Sequence, residues 1–121
     1  MKKVLIIDDE AVFVKAMQAA LDPQMYETSV ASDGEEGLKK VEEVKPDIIL
    51  LDIKMPRLDG IGFLTQLNEK NGAGKIPVII TSNSSSMETI SEGVALGIRG
   101  YVTKSNESLK GIVETMERFL K

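Results

Sequence analysis

Five side chains with carboxylate, hydroxyl or amine groups follow short apolar runs at four places in the sequence: Asp8, Asp9, Asp52, Ser82 and Lys104. Three of them are acids, and acids held close together repel one another unless a cation neutralises them. Oxygen ligands without histidine or cysteine favour Mg²⁺, with Mn²⁺ as an alternative. An aspartate beside such an ion, with a lysine and a hydroxyl opposite, has the groups that phosphoryl transfer requires. Asp52 is the predicted nucleophile.

The composition excludes several other kinds of chemistry. Without cysteine or histidine, the chain has no disulfide, no thiolate metal site and no Ser-His or Cys-His catalytic pair. Its 15 basic and 19 acidic residues leave a net charge of −4, which gives no general attraction to nucleic acid or anionic lipid. No apolar run approaches the roughly 20 residues of a membrane span. We expect one soluble, cytoplasmic domain over residues 1–121.

Apolar runs of strand length alternate along the chain with segments of helical periodicity. The predicted strands are residues 4–7, 26–31, 48–51, 78–80 and 101–102. The predicted helices begin near residues 11, 34, 61, 87 and 109. Because each helix returns the chain to start the next strand in the same direction, the alternation implies a parallel sheet whose strands all end at one edge.

The burial expected of each strand predicts the strand order. The first and third runs are apolar throughout and belong at the centre, whereas residues 26–31 alternate polar with apolar and belong at an edge. The predicted fold class is α/β, a doubly wound five-stranded parallel sheet in the order 2-1-3-4-5 inside a three-layer sandwich. Ligands bind such sheets where the winding reverses, between strands one and three. Asp8, Asp9 and Asp52 are expected to meet there.

Local signals mark the ends of two helices. Asp33, with Glu36 three residues later, predicts a capping box at the start of the second helix. Asp59 is assigned to the turn before the third helix and is left out of the site. Gly72 and Gly74 are expected to end that helix.

The sequence resembles the receiver domain of two-component response regulators along essentially its whole length. The resemblance rests on the pair Asp8-Asp9, the block D-I-K-M-P-R-L-D-G that begins at Asp52, Ser82, and Lys104 shortly after G-Y-V. The spacings of 30 and 22 residues between the last three positions also fit the family. The fold would then be flavodoxin-like, in its CheY-like form.

The resemblance implies a role for each acid. Asp52 would accept a phosphoryl group from a phosphohistidine on a sensor histidine kinase or phosphotransfer protein, since this chain has no histidine. Asp9, Asp52 and the backbone carbonyl of Lys54 would bind Mg²⁺ directly. Asp8 would act mostly through water.

The resemblance also implies how the signal leaves the domain. Lys104 and Ser82 would donate to phosphoryl oxygens. Ser82 and Tyr101 would form a switch that reshapes the surface of the fourth helix, fifth strand and fifth helix, where a downstream protein binds. The chain would be a monomeric phospho-acceptor, not an enzyme with an external substrate, with no direct contact to nucleic acid or membrane. It would be either a free-standing regulator or a receiver excised from a longer protein.

Two residues depart from the pattern of the family. Ser105 follows Lys104, where the family usually has proline, often after a cis bond. A cis bond before any other residue costs about 2.5 to 4 kcal/mol, so we predict a trans bond and a rearranged loop before the last helix. Asn83 stands where a small residue such as alanine is common. Its amide is expected to narrow access to the phosphoryl group and to slow phosphorylation or alter its lifetime.

Simpler interpretations remain open for several residues. Asp9 could cap the first helix, Lys104 could be an ordinary solvated lysine, and Tyr101 could pack at the edge of the sheet. Thr81 competes with Ser82 for the hydroxyl role, and the spacing favours Ser82.

Two other classes of protein are alternatives for the whole chain. A phosphatase of the haloacid-dehalogenase type also uses an aspartate nucleophile and Mg²⁺, but it requires a second aspartate where Lys54 stands. A flavodoxin-like cofactor binder would meet repulsion between three acids and the flavin phosphate, and the chain lacks a glycine-rich phosphate loop.

Overall fold

The computed structural model describes residues 1–72, 75–83 and 86–120. In these residues, five strands alternate with five helices. The elements are β1 (Lys2–Ile7), α1 (Ala11–Ala20), β2 (Tyr26–Ala31), α2 (Gly34–Val44), β3 (Ile48–Leu51), α3 (Gly60–Asn71), β4 (Val78–Ser82), α4 (Met87–Ala95), β5 (Gly100–Thr103) and α5 (Leu109–Phe119).

All five strands are parallel and lie in the order β2-β1-β3-β4-β5. The predicted fold class and strand order are therefore confirmed, with β2 at an edge and β1 and β3 inside the sheet. Each residue of β3 is fully buried, as are the last four residues of β1. These apolar runs make the centre of the sheet because helices cover both of their faces.

The strands differ from their predicted bounds only where pairing continues past the apolar run. β1 starts earlier than predicted, at Lys2, because Lys2 pairs in register with Tyr26 of β2. β4 continues to Ser82 because that residue pairs with Thr103 of β5. The second extension matters for the site, since it places Ser82 in the sheet and not in a loop.

Side chains that alternate along the strands separate into two apolar layers. On one face, β-strand residues such as Ile6 and Leu50 pack with Met17 of α1 and Ile112 of α5. On the other face, the neighbouring strand residues pack with α2 and α3, and Phe63 of α3 is fully buried there. The sheet is therefore held from both sides, and its carboxyl edge is positioned by a rigid core.

Helix caps mostly follow the sequence signals. Asp33 accepts a hydrogen bond from the backbone N–H of Glu36, as predicted, but the Glu36 carboxylate accepts from Ser32 and not from the N–H of Asp33. The reciprocal half of the box thus reaches one residue further back. Asp59 accepts from the N–H of Gly62 and caps α3. Gly72 ends α3 with a positive φ of 86°, and Gly74 lies outside the described residues.

Helix α4 packs closely on the sheet at only one buried position. Gly93 is that residue, and a Cβ there would lie 2.7 Å from Cδ1 of Ile98 and 3.0 Å from Cδ1 of Ile80. The missing side chain lets the helix approach β4. Met87 and Val94, one on each end of the same helix, are 76% and 63% exposed. The outer face of α4 is therefore partly apolar.

Candidate functional site

The strand register brings Asp8 and Asp52 together. Ile7 and Leu51 pair across β1 and β3, and each aspartate directly follows one of these residues. The N–H of Asp52 donates to the carbonyl of Ile7 at 2.9 Å, which extends the ladder by one step. Both aspartates are buried. The expected meeting of acids from strands one and three at the carboxyl edge is therefore observed for this pair.

A third carboxylate, which the sequence analysis missed, completes the cluster. Oxygens of Asp8, Glu10 and Asp52 all lie within 4.8 Å of one another. Glu10 is the third acid in the run D-D-E, and that run was the signal available in the sequence. Asp9 is exposed, and it lines a cavity together with Asp52 and Lys54.

Lys104 supplies the positive charge at this cluster. Its Nζ lies 2.7 Å from Oδ2 of Asp8, 2.6 Å from Oε1 of Glu10 and 3.9 Å from Oδ1 of Asp52. The ammonium also lies 4.3 Å from the centre of the Phe13 ring, a cation–π contact. Only 6% of the lysine side chain is exposed, so Lys104 is not an ordinary solvated lysine.

Burial and charge shift the pKa values of these groups in different directions. Burial, followed by the charge of Asp8, raises the pKa of Asp52 to about 6 against the opposing effect of Lys104. Burial also raises the pKa of Asp8. The hydrogen bond from Lys104 lowers the pKa of Glu10. Burial by itself would lower the pKa of Lys104, but the hydrogen bonds to Asp8 and Glu10 outweigh burial and raise this pKa.

Ser82 and Asn83 form the side of the cavity next to β4. The cavity has a volume of about 290 Å³ and is lined by Asp9, Glu10, Asp52, Lys54, Ser82 and Asn83. Thr81, the competitor for the hydroxyl role, is buried without a hydrogen-bond partner for its Oγ1 and does not line this cavity. The side-chain amide of Asn83 donates to Oε1 of Glu10 at 2.8 Å.

Tyr101 lies on the same face of the sheet as Ser82. In the parallel register, Ser82 pairs with Thr103 and Ile80 pairs with Tyr101, so alternate residues of β4 and β5 share one side. The Tyr101 ring is half-buried and packs against the apolar layer that contains Ile80. Ser82 and Tyr101 therefore lie on one face of neighbouring strands.

The arrangement has the groups for transferring a phosphoryl group to a carboxylate. It offers a buried carboxylate in Asp52, an ammonium in Lys104, a hydroxyl in Ser82 and a group of acids suited to a divalent cation. Comparison with known proteins gives the same family: the response regulator receiver domain matches residues 4–115. The chain belongs to this family.

Relatives of this receiver domain include both larger proteins and single domains. The chain is 40% identical to the alkaline phosphatase synthesis transcriptional regulatory protein PhoP of Bacillus subtilis over 103 residues, which are 85% of this chain and 42% of that protein. It is 40% identical over 106 residues to a protein-glutamate methylesterase/protein-glutamine glutaminase of Methanospirillum hungatei, covering 86% of this chain and 31% of the relative. The chain thus spans less than half the length of these curated relatives.

A solved structure matches nearly the whole receiver domain. The CheY-like response regulator receiver domain protein from Methanospirillum hungatei superposes with a TM-score of 0.89 at 25% identity and covers 99% of this chain and 94% of its own. None of the helices within residues 1–72, 75–83 and 86–120 is both long and apolar enough to cross a membrane.

The bond between Lys104 and Ser105, in the loop after β5, is trans, as predicted from Ser105. The loop is closed by bonds from the N–H groups of Asn106 and Glu107 to the carbonyl of Thr103, and Ser108 then caps α5. Lys104 of this receiver domain therefore contacts Asp8 and Glu10 from a loop in which the Lys104–Ser105 bond is trans.

Proposed function

We propose that this receiver domain accepts a phosphoryl group on Asp52 in a Mg²⁺-dependent reaction and then presents a changed surface to a downstream protein. The observation that carries the proposal is the Asp52 carboxylate, buried at the wall of the cavity with the Lys104 ammonium 3.9 Å from its Oδ1. With a pKa of about 6, this carboxylate is mostly ionised at neutral pH and is available as a nucleophile.

In the proposed reaction, a carboxylate oxygen of Asp52 attacks the phosphorus of an external phosphohistidine. The new P–O bond forms as the P–N bond breaks, and the imidazole leaves with that electron pair and takes a proton from water. The chain contains no histidine, so the donor belongs to a sensor histidine kinase or a phosphotransfer protein. Water later cleaves the acyl phosphate, restores Asp52 and releases inorganic phosphate.

The acids around the cavity fit a divalent cation of the Mg²⁺ type. The candidate ligands are all oxygens: the carboxylates of Asp8, Asp9 and Asp52 and the backbone carbonyl of Lys54. Three carboxylates, those of Asp8, Glu10 and Asp52, already lie within 4.8 Å of one another. A bound Mg²⁺ would neutralise this charge and stabilise the negative charge of the phosphoryl oxygens. Mn²⁺ prefers the same ligands.

Two donors near Asp52 are suited to hold the phosphoryl group: Ser82, which lines the cavity, and Lys104, whose ammonium lies 3.9 Å from Oδ1 of Asp52. Lys104 would form a charge-assisted hydrogen bond to one phosphoryl oxygen, and the Ser82 hydroxyl would donate to another. These donors fix the group's orientation because Ser82 belongs to β4 and Lys104 is attached to the end of β5.

The output surface in this proposal consists of α4, β5 and α5. Displacement of the Ser82 hydroxyl toward the phosphoryl group leaves space on the sheet face that Ser82 shares with Tyr101, and the ring turns inward. The exposed Met87 and Val94 on α4 would give a downstream protein apolar contacts on this surface. In this proposal, the phosphorylated domain acts as a monomeric, cytoplasmic switch.

The alternative activities are disfavoured by particular residues. A phosphatase of the haloacid-dehalogenase type requires a second aspartate where this chain has Lys54. Incubation with p-nitrophenyl phosphate and Mg²⁺ tests this class directly, and we expect no sustained turnover. A flavin phosphate would meet Asp8, Glu10 and Asp52 at the point where the winding reverses.

Phosphorylation with acetyl phosphate tests the proposed function. We expect the intact protein to gain the mass of one phosphoryl group with Mg²⁺ and none after chelation. Asp52→Asn should abolish the gain. Asp59→Asn is the matched control, because it removes a nearby aspartate charge but keeps a good helix cap. Equal labelling of Asp52→Asn and the wild type would contradict the proposal.

The output surface is tested by NMR with beryllofluoride, which imitates the phosphoryl group. We expect chemical-shift changes that need Asp52 and extend through residues 82 to 115 of the wild type. Changes confined to the residues that line the cavity would contradict the switch while leaving phosphoryl acceptance intact.

A further inference from the structure

Glu10 occupies a position that its local structure does not explain. It is the N-cap residue of α1, where short side chains such as serine or aspartate normally accept hydrogen bonds from the helix. The Glu10 side chain makes no capping bond. Its carboxylate is turned toward the end of the sheet instead, so the residue is not explained as part of the helix start.

The Glu10 carboxylate connects three loops through one oxygen. Oε1 accepts from Nζ of Lys104 at 2.6 Å and from the side-chain amide of Asn83 at 2.8 Å. Glu10 follows β1, Asn83 follows β4 and Lys104 follows β5. Lys104, the residue proposed to hold the phosphoryl group, is therefore bound to Glu10 in the structure. The side-chain amide of Asn83 holds Glu10 in place.

We propose that Glu10, fastened by Asn83, holds Lys104 in the unphosphorylated state and competes with the phosphoryl group for its ammonium. Glu10 is thus a positioning residue, and the Glu10–Asn83 pair sets how readily the domain accepts and keeps a phosphoryl group. The inference rests on the proposed function, since it assigns regulation to the same site.

The exposure of the two acids that bind Lys104 decides which of them the phosphoryl group displaces. The Asp8 side chain is fully buried, whereas the Glu10 side chain is 43% exposed. Releasing Asp8 would leave a buried charge without its partner, which is costly. Glu10 can turn into water at a small cost. The phosphoryl group therefore takes the place of Glu10, while the bond to Asp8 is kept.

Replacing Asn83 tests the proposal without changing the charge of the site. Its amide is neutral, so removing it changes no charge in the cavity but frees Glu10 to leave. If Asn83 only narrows access, its removal speeds binding and release equally and leaves the equilibrium affinity unchanged. If it fastens Glu10, its removal shifts the equilibrium toward the bound state.

The experiment measures the equilibrium affinity for beryllofluoride, with saturating Mg²⁺, in the full chain. We expect Glu10→Gln and Asn83→Ala each to bind about three- to ten-fold more tightly than the wild type. The double variant should bind no more tightly than the better single variant, because both changes break one arrangement. Glu27→Gln removes the same charge from an exposed position of β2 and should leave the affinity unchanged.

Three further readouts separate positioning from a structural or metal-binding role. The NMR signal of the Lys104 ammonium group should shift in both single variants before beryllofluoride is added. The gain of Glu10→Gln should shrink at high salt, since Glu10 is partly exposed. The affinity for Mg²⁺ alone should not fall.

The outcomes distinguish this inference from the proposed function. Three results would overturn the role of Glu10 and leave the proposed function intact. They are unchanged or weaker beryllofluoride binding in Asn83→Ala, additive effects in the double variant, and loss of Mg²⁺ affinity in Glu10→Gln. If the wild type takes up no beryllofluoride, or Asp52→Asn takes up as much, the proposed function fails and the role of Glu10 falls with it.

Discussion

The backbone N–H of Lys104 donates to the carbonyl of Ser82 at 2.7 Å. This bond continues the pairing of β4 with β5 past Thr103, the last residue of β5. The two residues proposed to hold the phosphoryl group are therefore fixed to each other by the sheet, although 22 residues separate them in the sequence. Their spacing in the site is a property of the strand register and not of a flexible loop.

Removing the charge of Asp52 should stabilise the metal-free protein. The folded pKa of about 6 lies above the ordinary 3.8, so ionised Asp52 destabilises the fold as pH rises through this range. We expect Asp52→Asn to raise the free energy of unfolding by about 1 to 3 kcal/mol at neutral pH. The gain should vanish below the ordinary pKa. Urea denaturation across this pH range measures it.

Mg²⁺ provides the internal check on this prediction. The ion should stabilise the wild type more than Asp52→Asn, because only the wild type retains all the clustered carboxylates. Asp59→Asn, which keeps the cap of α3, should not reproduce the gain. A less stable Asp52→Asn in chelator would refute the charge repulsion.

The start of α3 should not tolerate a side chain at Gly60. A Cβ there would collide with the carbonyl oxygen of Asp52 and lie 2.9 Å from Cα of Ile53, and backbone atoms cannot move aside cheaply. We expect Gly60→Ala to lose about 1 to 3 kcal/mol of stability and to slow phosphorylation by shifting Asp52. Stability is measured with urea, and the rate is measured with acetyl phosphate.

Gly62→Ala is the matched control in the same helix. Its Cβ would meet mainly the Leu58 side chain, which can rotate away, and alanine favours the helix over glycine. We expect a small change of stability and an unchanged phosphorylation rate. Equal losses at Gly60 and Gly62 would mean that contact with Asp52 is not the cause.

The hydrogen bond between Tyr26 and Glu117 should stabilise the fold up to alkaline pH. The phenol donates to Oε2 of Glu117 at 2.7 Å, and burial together with this bond raises the pKa of Tyr26 to about 12. A raised folded pKa gives stability that is complete below the ordinary value of 10 and is lost as pH rises toward 12. We expect Tyr26→Phe to cost about 0.5 to 1.5 kcal/mol at neutral pH.

Phenolate absorbance and urea unfolding check this prediction together. In Tyr101→Phe, where Tyr26 is the remaining tyrosine, the phenolate signal should rise well above pH 10. The stability difference between wild type and Tyr26→Phe should narrow over the same range. Titration of Tyr26 at its ordinary pKa would show that the bond to Glu117 is absent in solution.

The fold and half of the site were predictable because they depend on local patterns. The apolar runs end at Asp8 and Asp52, and a parallel sheet brings strand ends together whatever the details of packing. The capping role of Asp33 was predictable for the same reason, since the bond to Glu36 spans three residues. The predicted partner of the Glu36 side chain was wrong, because its carboxylate accepts from Ser32 and not from the N–H of Asp33.

The missed features depend on where long side chains turn in space. Glu10 could have capped α1 or faced water, and only the packed loops direct it to Lys104 and Asn83. Three successive acids at a helix start were a hint, because glutamate is a poor N-cap. The bond between Tyr26 and Glu117, 91 residues apart, has no local pattern that would predict it.

Borohydride trapping tests the central claim most directly. After brief treatment with acetyl phosphate and Mg²⁺, borohydride reduces an aspartyl phosphate to homoserine, and peptide mass spectrometry locates the altered residue. We predict homoserine at position 52 alone, and none when Mg²⁺ is chelated. Homoserine at another aspartate, or phosphate retained on a hydroxyl with position 52 unchanged, would contradict the assignment of Asp52 as the phosphoryl acceptor.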